Sequence, residues 1–154
     1  MASPLGDLML FADDGHLFAV EFVLAGDALG NGRPGENSVL LAAERQIKAY
    51  FAGTLKVFDL PLQPVGTDFQ VAVWQAMRQI PFGATMSYGA LAGLVGDRKK
   101  ARAVGQAANR NPLAIVIPCH RVIGSNGRLV GYGGGLDKKE LLLLHESGSL
   151  DWPG

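Results

Sequence analysis

The chain has one cysteine, Cys119, in the run Pro118-Cys119-His120-Arg121. A thiolate is a far better nucleophile than a thiol, and at an ordinary pKa of ~8.5 only about 3% of a cysteine is ionised at pH 7. Lowering that pKa by ~2 units, worth about 2.7 kcal/mol, makes the thiolate the major species. His120 and Arg121 are the local groups able to do so. Neighbours on a strand point to opposite sides, so Cys119 and His120 would need a turn or a bridging water to communicate. Glu146, in the pair His145-Glu146, is the remaining polar partner, since a carboxylate on an imidazole fixes its tautomer and raises its basicity. The loop Gly131-Tyr132-Gly133-Gly134-Gly135 leaves backbone amides uncovered and can line a pocket closely. It lacks the Lys-Ser/Thr ending of a phosphate-binding loop. Taken singly, each group also has a plainer reading: a small buried cysteine, a half-buried His145, a solvated helix end at Glu146.

The charge distribution points to a phosphate-rich partner. Net charge is zero, yet residues 1–68 carry nine acidic and four basic side chains (−5), and residues 69–154 carry five acidic and ten basic (+5). Residues 98–128 hold seven Arg or Lys and no Asp or Glu. Such a basic region attracts phosphates, although taken alone it reads more readily as a solvated face.

These residues must be positioned by local elements. Leu8–Ala12 and Leu17–Val23, separated by Asp13-Asp14-Gly15, predict a β-hairpin. Gly26–Gly35 reads as a loop, and Asn37 or Ser38 can cap a helix to about Phe51. Phe58–Leu62 is expected as an edge strand because of Pro61. Pro61–Gly66 is the natural boundary, so residues 1–62 are taken as an N-terminal domain and 67–154 as a C-terminal one. Beyond it, Thr67 or Asp68 caps a helix carrying Phe69, Val73, Trp74, Met77 and Ile80 at helical spacing. Ser87 caps a short helix, Tyr88–Val95, and a second helix runs Arg98–Asn109 after the Gly96-Asp97 turn. Such a pair reads as a helix-turn-helix. On the second helix Ala101, Val104 and Ala108 form an inward stripe, while Arg98, Arg102 and Gln106 share another face. Leu113–Ile117 is an apolar run expected as a strand that delivers Cys119, and Asp137 starts a last helix closed by Gly148. The fold class is α/β: a small mixed N-terminal domain and a mostly helical C-terminal one.

Composition narrows the classes. Hydrophobic residues make up 48% and charged residues 18%, which excludes a disordered tail, and the 21 glycines show no period. The longest apolar runs, Leu113–Ile117 and Leu141–Leu144, are too short to span a bilayer, so no membrane partner is expected. The start, Met-Ala-Ser-Pro-Leu-Gly-Asp, has no secretory pattern. With a lone cysteine, a reducing cytoplasm is the expected setting. One Cys and three His (His16, His120, His145) make a metal site unexpected, and no cofactor is implied.

The run Asn111-Pro112 to Ile117-Pro118-Cys119-His120-Arg121-Val122-Ile123, then Gly131-Tyr132, Gly134-Gly135-Leu136 and Lys139 to His145-Glu146, resembles the O6-alkylguanine-DNA alkyltransferases, or methylated-DNA–protein-cysteine methyltransferases. Phe69-Gln70, Val73-Trp74, Ile80-Pro81, Ser87-Tyr88 and Ala101-Arg102-Ala103-Val104-Gly105 follow the same pattern in order. The strong match covers about residues 67–148, and the first 60 match loosely. The resemblance implies a ribonuclease-H-like N-terminal part and one irreversible alkyl transfer from O6 of guanine to Cys119. His120 would take the thiol proton through a water, and Glu146 would polarise His120. Tyr88 would donate toward guanine N3, and Asn111 would tie the helix pair to the cysteine segment. Arg102 would fill the gap left by the flipped nucleotide. The Cys119 and Val122 carbonyls would accept from the guanine amino group, and the Gly133 amide would donate to O6 beside Tyr132 and Gly134. Arg98, Arg102, Ala103, Gln106, Arg110 and Arg121 are the expected DNA-facing set, with the second helix in the minor groove. The expected partner is double-stranded DNA carrying O6-alkylguanine, with O4-alkylthymine as a further substrate, and the chain is expected to be a monomer.

The chemistry suits such a lesion: a paired base must be extruded before its O6 can be reached, and donors near N3 and O6 stabilise the leaving anion. Position 133 is Gly where the family that the chain resembles has Ser or another small residue, Gly124 lacks a side chain, and both are expected to widen the pocket. A non-catalytic lesion binder and a Cys-His hydrolase remain as alternatives.

Overall fold

The computed structural model describes residues 1–24, 35, 37–150 and 152. Contacts divide them into two compact units: the described residues of Met1–Pro64, Pro112–Val116 and Trp152, and those of Val65–Asn111 and Ile117–Asp151.

In the first unit β1 (Leu8–Ala12) and β2 (Leu17–Phe22) form an antiparallel hairpin with Leu8 opposite Phe22 and Leu10 opposite Val20. The turn closes because Asp13 Oδ1 accepts from the Gly15 and His16 amides at 2.8 and 2.7 Å. Helix α1 (Ser38–Phe51) is capped by Asn37, whose side chain accepts from the Leu40 amide at 2.8 Å. Val39, Ala43, Ile47 and Tyr50 recur at helical spacing and are buried, with Leu8, Leu17 and Val20 of the hairpin also in the core. The Gly26–Gly35 loop lies outside the described residues except for Gly35.

Two expected strands do not form. Of Phe58–Leu62 only Leu62 bridges, to Leu17. Pro61 has no amide to donate, and the backbone of Asp59 pairs instead with the Gln46 side chain, at 2.9 Å (its N–H) and 2.8 Å (its carbonyl). Within Leu113–Ile117 only Leu113 bridges, to Val20; the chain then turns, with the Val116 amide bonded to the Ala114 carbonyl at 2.8 Å and Ile115 at φ 71°. The run is apolar because Leu113, Ile115, Val116 and Ile117 are buried, and a periodicity argument cannot separate that from a strand.

The second unit begins with α2 (Asp68–Met77), closed by a reciprocal capping box between Thr67 and Gln70. Its buried side carries Val73, Trp74 and Met77, and the Trp74 indole donates to the Ala107 carbonyl at 2.8 Å. A two-residue β3 (Met86–Ser87) runs parallel to β4 (Val122–Ile123), pairing Met86 with Val122. Helix α3 (Tyr88–Leu94) follows at once, capped by Ser87. The second helix of the pair starts later than its pattern predicts: Arg98–Lys100 form a 3-10 turn, held by Asp97 on the Lys99 amide, and α4 spans Ala101–Asn109. Its buried stripe is Val104, Ala107 and Ala108 rather than Ala101, Val104 and Ala108. Helix α5 (Leu136–Glu146) buries Lys139, Leu142 and Glu146, spaced i, i+3, i+7 on one face. Among the described residues no helix is long and apolar enough to cross a membrane.

Candidate active site

Cys119 opens a 3-10 turn, Cys119–Arg121, that starts where Pro118 ends the apolar run. The β3–β4 pair brings the first turn of α3, and so Tyr88, to this segment. The Asn111 side chain donates to the Ile117 carbonyl at 2.8 Å and fastens the end of α4 to the chain entering the turn. Cys119 itself is half-buried. Burial pushes its thiol above the ordinary range, while a hydrogen bond from Asn111 and the Lys139 charge pull the other way.

The turn that carries Cys119 also carries His120 and Arg121, which join Glu146 in a buried polar cluster. His120 Nε2 lies 2.7 Å from Glu146 Oε2, with both side chains almost fully enclosed (0 and 1% exposed). Among the described residues His120 Nδ1 is buried with no hydrogen-bond partner, so the ring has one nitrogen held and one available. That assignment makes Nε2 the protonated nitrogen and Nδ1 the lone-pair side. Burial pushes the His120 imidazolium down, Glu146 pushes it up, and Arg121 and Lys139 push it down again. Burial pushes Glu146 up, but the bonds and charges of His120 and Arg121 outweigh it and hold the carboxyl well below the usual range.

Arg121 departs from expectation. It is 6% exposed and turned inward, with Nε 2.7 Å from Glu146 Oε1, instead of facing DNA. A guanidinium beside a buried carboxylate gains more from that fork than from solvent. The other expected DNA-facing residues, Arg98, Arg102, Ala103, Gln106 and Arg110, are exposed on α4 and the residues at its two ends. Val122 is fully buried, Tyr132 and Gly134 are half-buried, and Gly133 is exposed. The Tyr88 ring lies against α4 at Gly105, where a Cβ would make an ordinary contact 3.6 Å from Tyr88 Cδ1.

Lys139 carries no role in the sequence reading. It is fully buried, and Nζ donates to the Val130 and Gly131 carbonyls at 3.0 and 3.2 Å and to the Tyr88 hydroxyl at 3.5 Å. The Tyr88 hydroxyl in turn donates to the Val130 carbonyl at 2.7 Å. Burial lowers the Lys139 pKa, and the nearby Cys119 raises it. The signal that could have found it is its place on the same helical stripe as Leu142 and Glu146. The expectation for the two glycines divides. A Cβ at Gly133 meets nothing within 4 Å, whereas one at Gly124 would meet Asn126 Oδ1 at 3.1 Å and the Arg128 carbonyl at 3.2 Å. Gly124 thus allows the 124–130 loop to close tightly and does not open a pocket. Among the described residues no three His, Cys, Asp or Glu side chains gather as a metal site.

A half-buried thiol next in the chain to a histidine held by a buried carboxylate, on a small helical unit with a basic exposed helix, is the make-up of a protein with cysteine-centred chemistry. The description "6-O-methylguanine DNA methyltransferase, DNA binding domain" matches residues 68–148, and "6-O-methylguanine DNA methyltransferase, ribonuclease-like domain" matches residues 1–64. The chain belongs to the 6-O-methylguanine DNA methyltransferase family. It is 48% identical over 146 residues to the methylated-DNA–protein-cysteine methyltransferase of Methanosarcina acetivorans, covering 94% of each chain. It is 47% identical to that of Mycobacterium leprae, covering 93% of this chain and 87% of the relative. The solved structure of Mycobacterium tuberculosis OGT in complex with DNA superposes with a TM-score of 0.88 at 41% identity, covering 97% of this chain and 92% of that one.

Proposed function

We propose that this chain repairs O6-alkylguanine in duplex DNA by moving the alkyl group to Cys119. It is a DNA-repair methyltransferase of the methylated-DNA–protein-cysteine class. The observation that carries the assignment to Cys119 is the His120–Glu146 pair: one imidazole nitrogen is fixed at 2.7 Å by a buried carboxylate, and the other is buried without a protein partner.

In the proposed reaction the thiol proton passes through a water to His120 Nδ1. The sulfur then attacks the alkyl carbon as the bond to O6 breaks. The electron pair leaves on guanine, where the Gly133 amide and the Tyr88 hydroxyl stabilise it at O6 and N3. Tyr88 must exchange its bond to the Val130 carbonyl for that role. The Cys119 and Val122 carbonyls hold the guanine amino group, and Tyr132 and Gly134 line the base. A thioether is not hydrolysed under mild conditions, so each molecule reacts once.

Helices α3 and α4 act as a helix-turn-helix whose second member enters the minor groove. Arg98, Ala103, Gln106 and Arg110 contact the backbone, and Arg102 fills the gap of the extruded nucleotide. Residues 1–62 supply a ribonuclease-H-like part, and the catalytic residues lie within 67–154. The chain works as a cytoplasmic monomer, and O4-alkylthymine is a second substrate.

Intact-mass spectrometry after mixing with O6-methylguanine duplex tests the proposal. One added methyl on the Cys119 peptide, with no further turnover, is expected. Binding without mass gain would favour a lesion binder. Repeated turnover of an acyl ester without salt-sensitive DNA binding would favour a hydrolase.

A further inference from the structure

Several bonds converge on one carboxylate. Glu146 Oε2 accepts from His120 Nε2 at 2.7 Å and from Arg121 Nη2 at 3.0 Å. Oε1 accepts from Arg121 Nε at 2.7 Å and from the Gly83 amide at 3.4 Å. The third guanidinium nitrogen, Nη1, donates to the Ile80 carbonyl at 2.7 Å, and the guanidinium lies 5.8 Å from the centre of the Phe82 ring. Each of its three nitrogens donates one bond to protein, and the side chain is 7% exposed, so the guanidinium is turned away from any phosphate outside.

The geometry points to Arg121 as a positioning residue for the transfer: it holds Glu146 in the rotamer that reaches His120 and offsets the carboxylate charge, so that His120 rests neutral with Nδ1 ready to accept a proton. This inference rests on the proposed roles of Cys119 and His120.

Without Arg121, the His120–Glu146 pair is a buried site of net charge −1, and such a site draws in a proton. The proton would settle on His120, and an imidazolium has no lone pair for the thiol proton. With the guanidinium in place the cluster is already neutral. The other charged or titratable groups acting on His120 or on its neighbours are Lys139 on α5, Cys119 on its own turn, Tyr88 beside Cys119, and His145 against the Phe82 ring that Arg121 faces. Asp68, the charged residue of α2, is exposed. Arg121 is thus the group that forks onto the carboxylate itself. A lysine would preserve the charge and lose the fork.

The test uses the whole chain and free O6-benzylguanine, which has no phosphate, so DNA contacts do not enter. Benzyl transfer to Cys119 is followed by intact mass from roughly pH 5 to 9 for the wild type, Arg121→Lys and Arg121→Met. In Arg121→Met the acid limb of the rate profile is expected to move up by about one pH unit, a tenfold loss at a pH on the wild-type limb. Arg121→Lys should keep its limb within about half a unit and lower the plateau. A lowered plateau with an unmoved limb in Arg121→Met, or a loss confined to duplex substrate, overturns the inference.

A measurement on the wild type guards against a variant that does not fold. Side-chain nitrogen NMR should show His120 as the neutral, Nε2-protonated tautomer at pH 7, and an imidazolium there overturns the inference. Absence of benzyl on wild-type Cys119 would instead sink the proposed function, while the NMR result would still judge Arg121.

Discussion

Replacing Glu146 with Gln removes the charge that offsets the Arg121 guanidinium and weakens the acceptor of His120 Nε2. The carboxylate side chain is 1% exposed, and its partners His120 and Arg121 are 0 and 7% exposed, so water cannot take over. Breaking a buried pair by deleting one partner costs about 3–5 kcal/mol, because the remaining charge is left uncompensated. For a chain of this size each kcal/mol moves the melting temperature by about 2–4 °C, so Glu146→Gln should melt about 6–20 °C below the wild type at pH 7. The pH dependence follows from the direction of the Glu146 shift. Its folded pKa is depressed, so its stabilisation is complete above the unfolded value of ~4.3 and fades as pH falls toward the folded value. The gap between wild type and variant should therefore be widest near neutrality and narrow steadily below about pH 4. Alkyl transfer should slow by about two orders of magnitude, the lower reach of a positioned general base, and the Cys119 thiol should titrate higher. Calorimetry at pH 7 and pH 3.5, with intact-mass kinetics, checks each part. Equal melting temperatures at pH 7, or a gap indifferent to pH, would refute the reasoning.

Other substitutions separate the remaining roles. Arg102→Ala should depress repair of duplex DNA at least tenfold more than transfer from free O6-benzylguanine, and equal losses would remove Arg102 from base extrusion. Lys139→Met removes a buried cation near the thiol and three donated bonds. It should raise the Cys119 pKa, read as slower iodoacetamide labelling at fixed pH, and speed hydrogen exchange of the Gly131–Gly135 amides. Gly133→Leu enters open space, so it should leave stability within about 0.5 kcal/mol while slowing benzyl transfer relative to methyl transfer. Similar benzyl-to-methyl rate ratios in the two proteins would show that Gly133 does not set pocket width.

Much of the local structure was legible before any fold was known, because it depends on near neighbours. The hairpin turn is written in Asp13 and Gly15, and the helix starts in Asn37, Thr67 and Ser87. Each acts over two to four residues, the range at which side-chain chemistry competes directly for backbone groups. The misreadings share a different cause. Leu113–Ile117 looked like a strand because burial and strand pairing select the same apolar residues, and only the surrounding core shows that the chain turns at Ile115. Arg121 looked like a DNA contact because a guanidinium suits phosphate and carboxylate equally, and the carboxylate it chose lies 25 residues away. Lys139 went unassigned because a lysine on a helix is ordinarily solvated, and its three acceptors are supplied by a loop and by Tyr88, 51 residues distant. Residue types and spacing settle which chemistry is available. Which charge meets which partner, and whether water is shut out when they meet, is decided by packing between segments far apart in the chain.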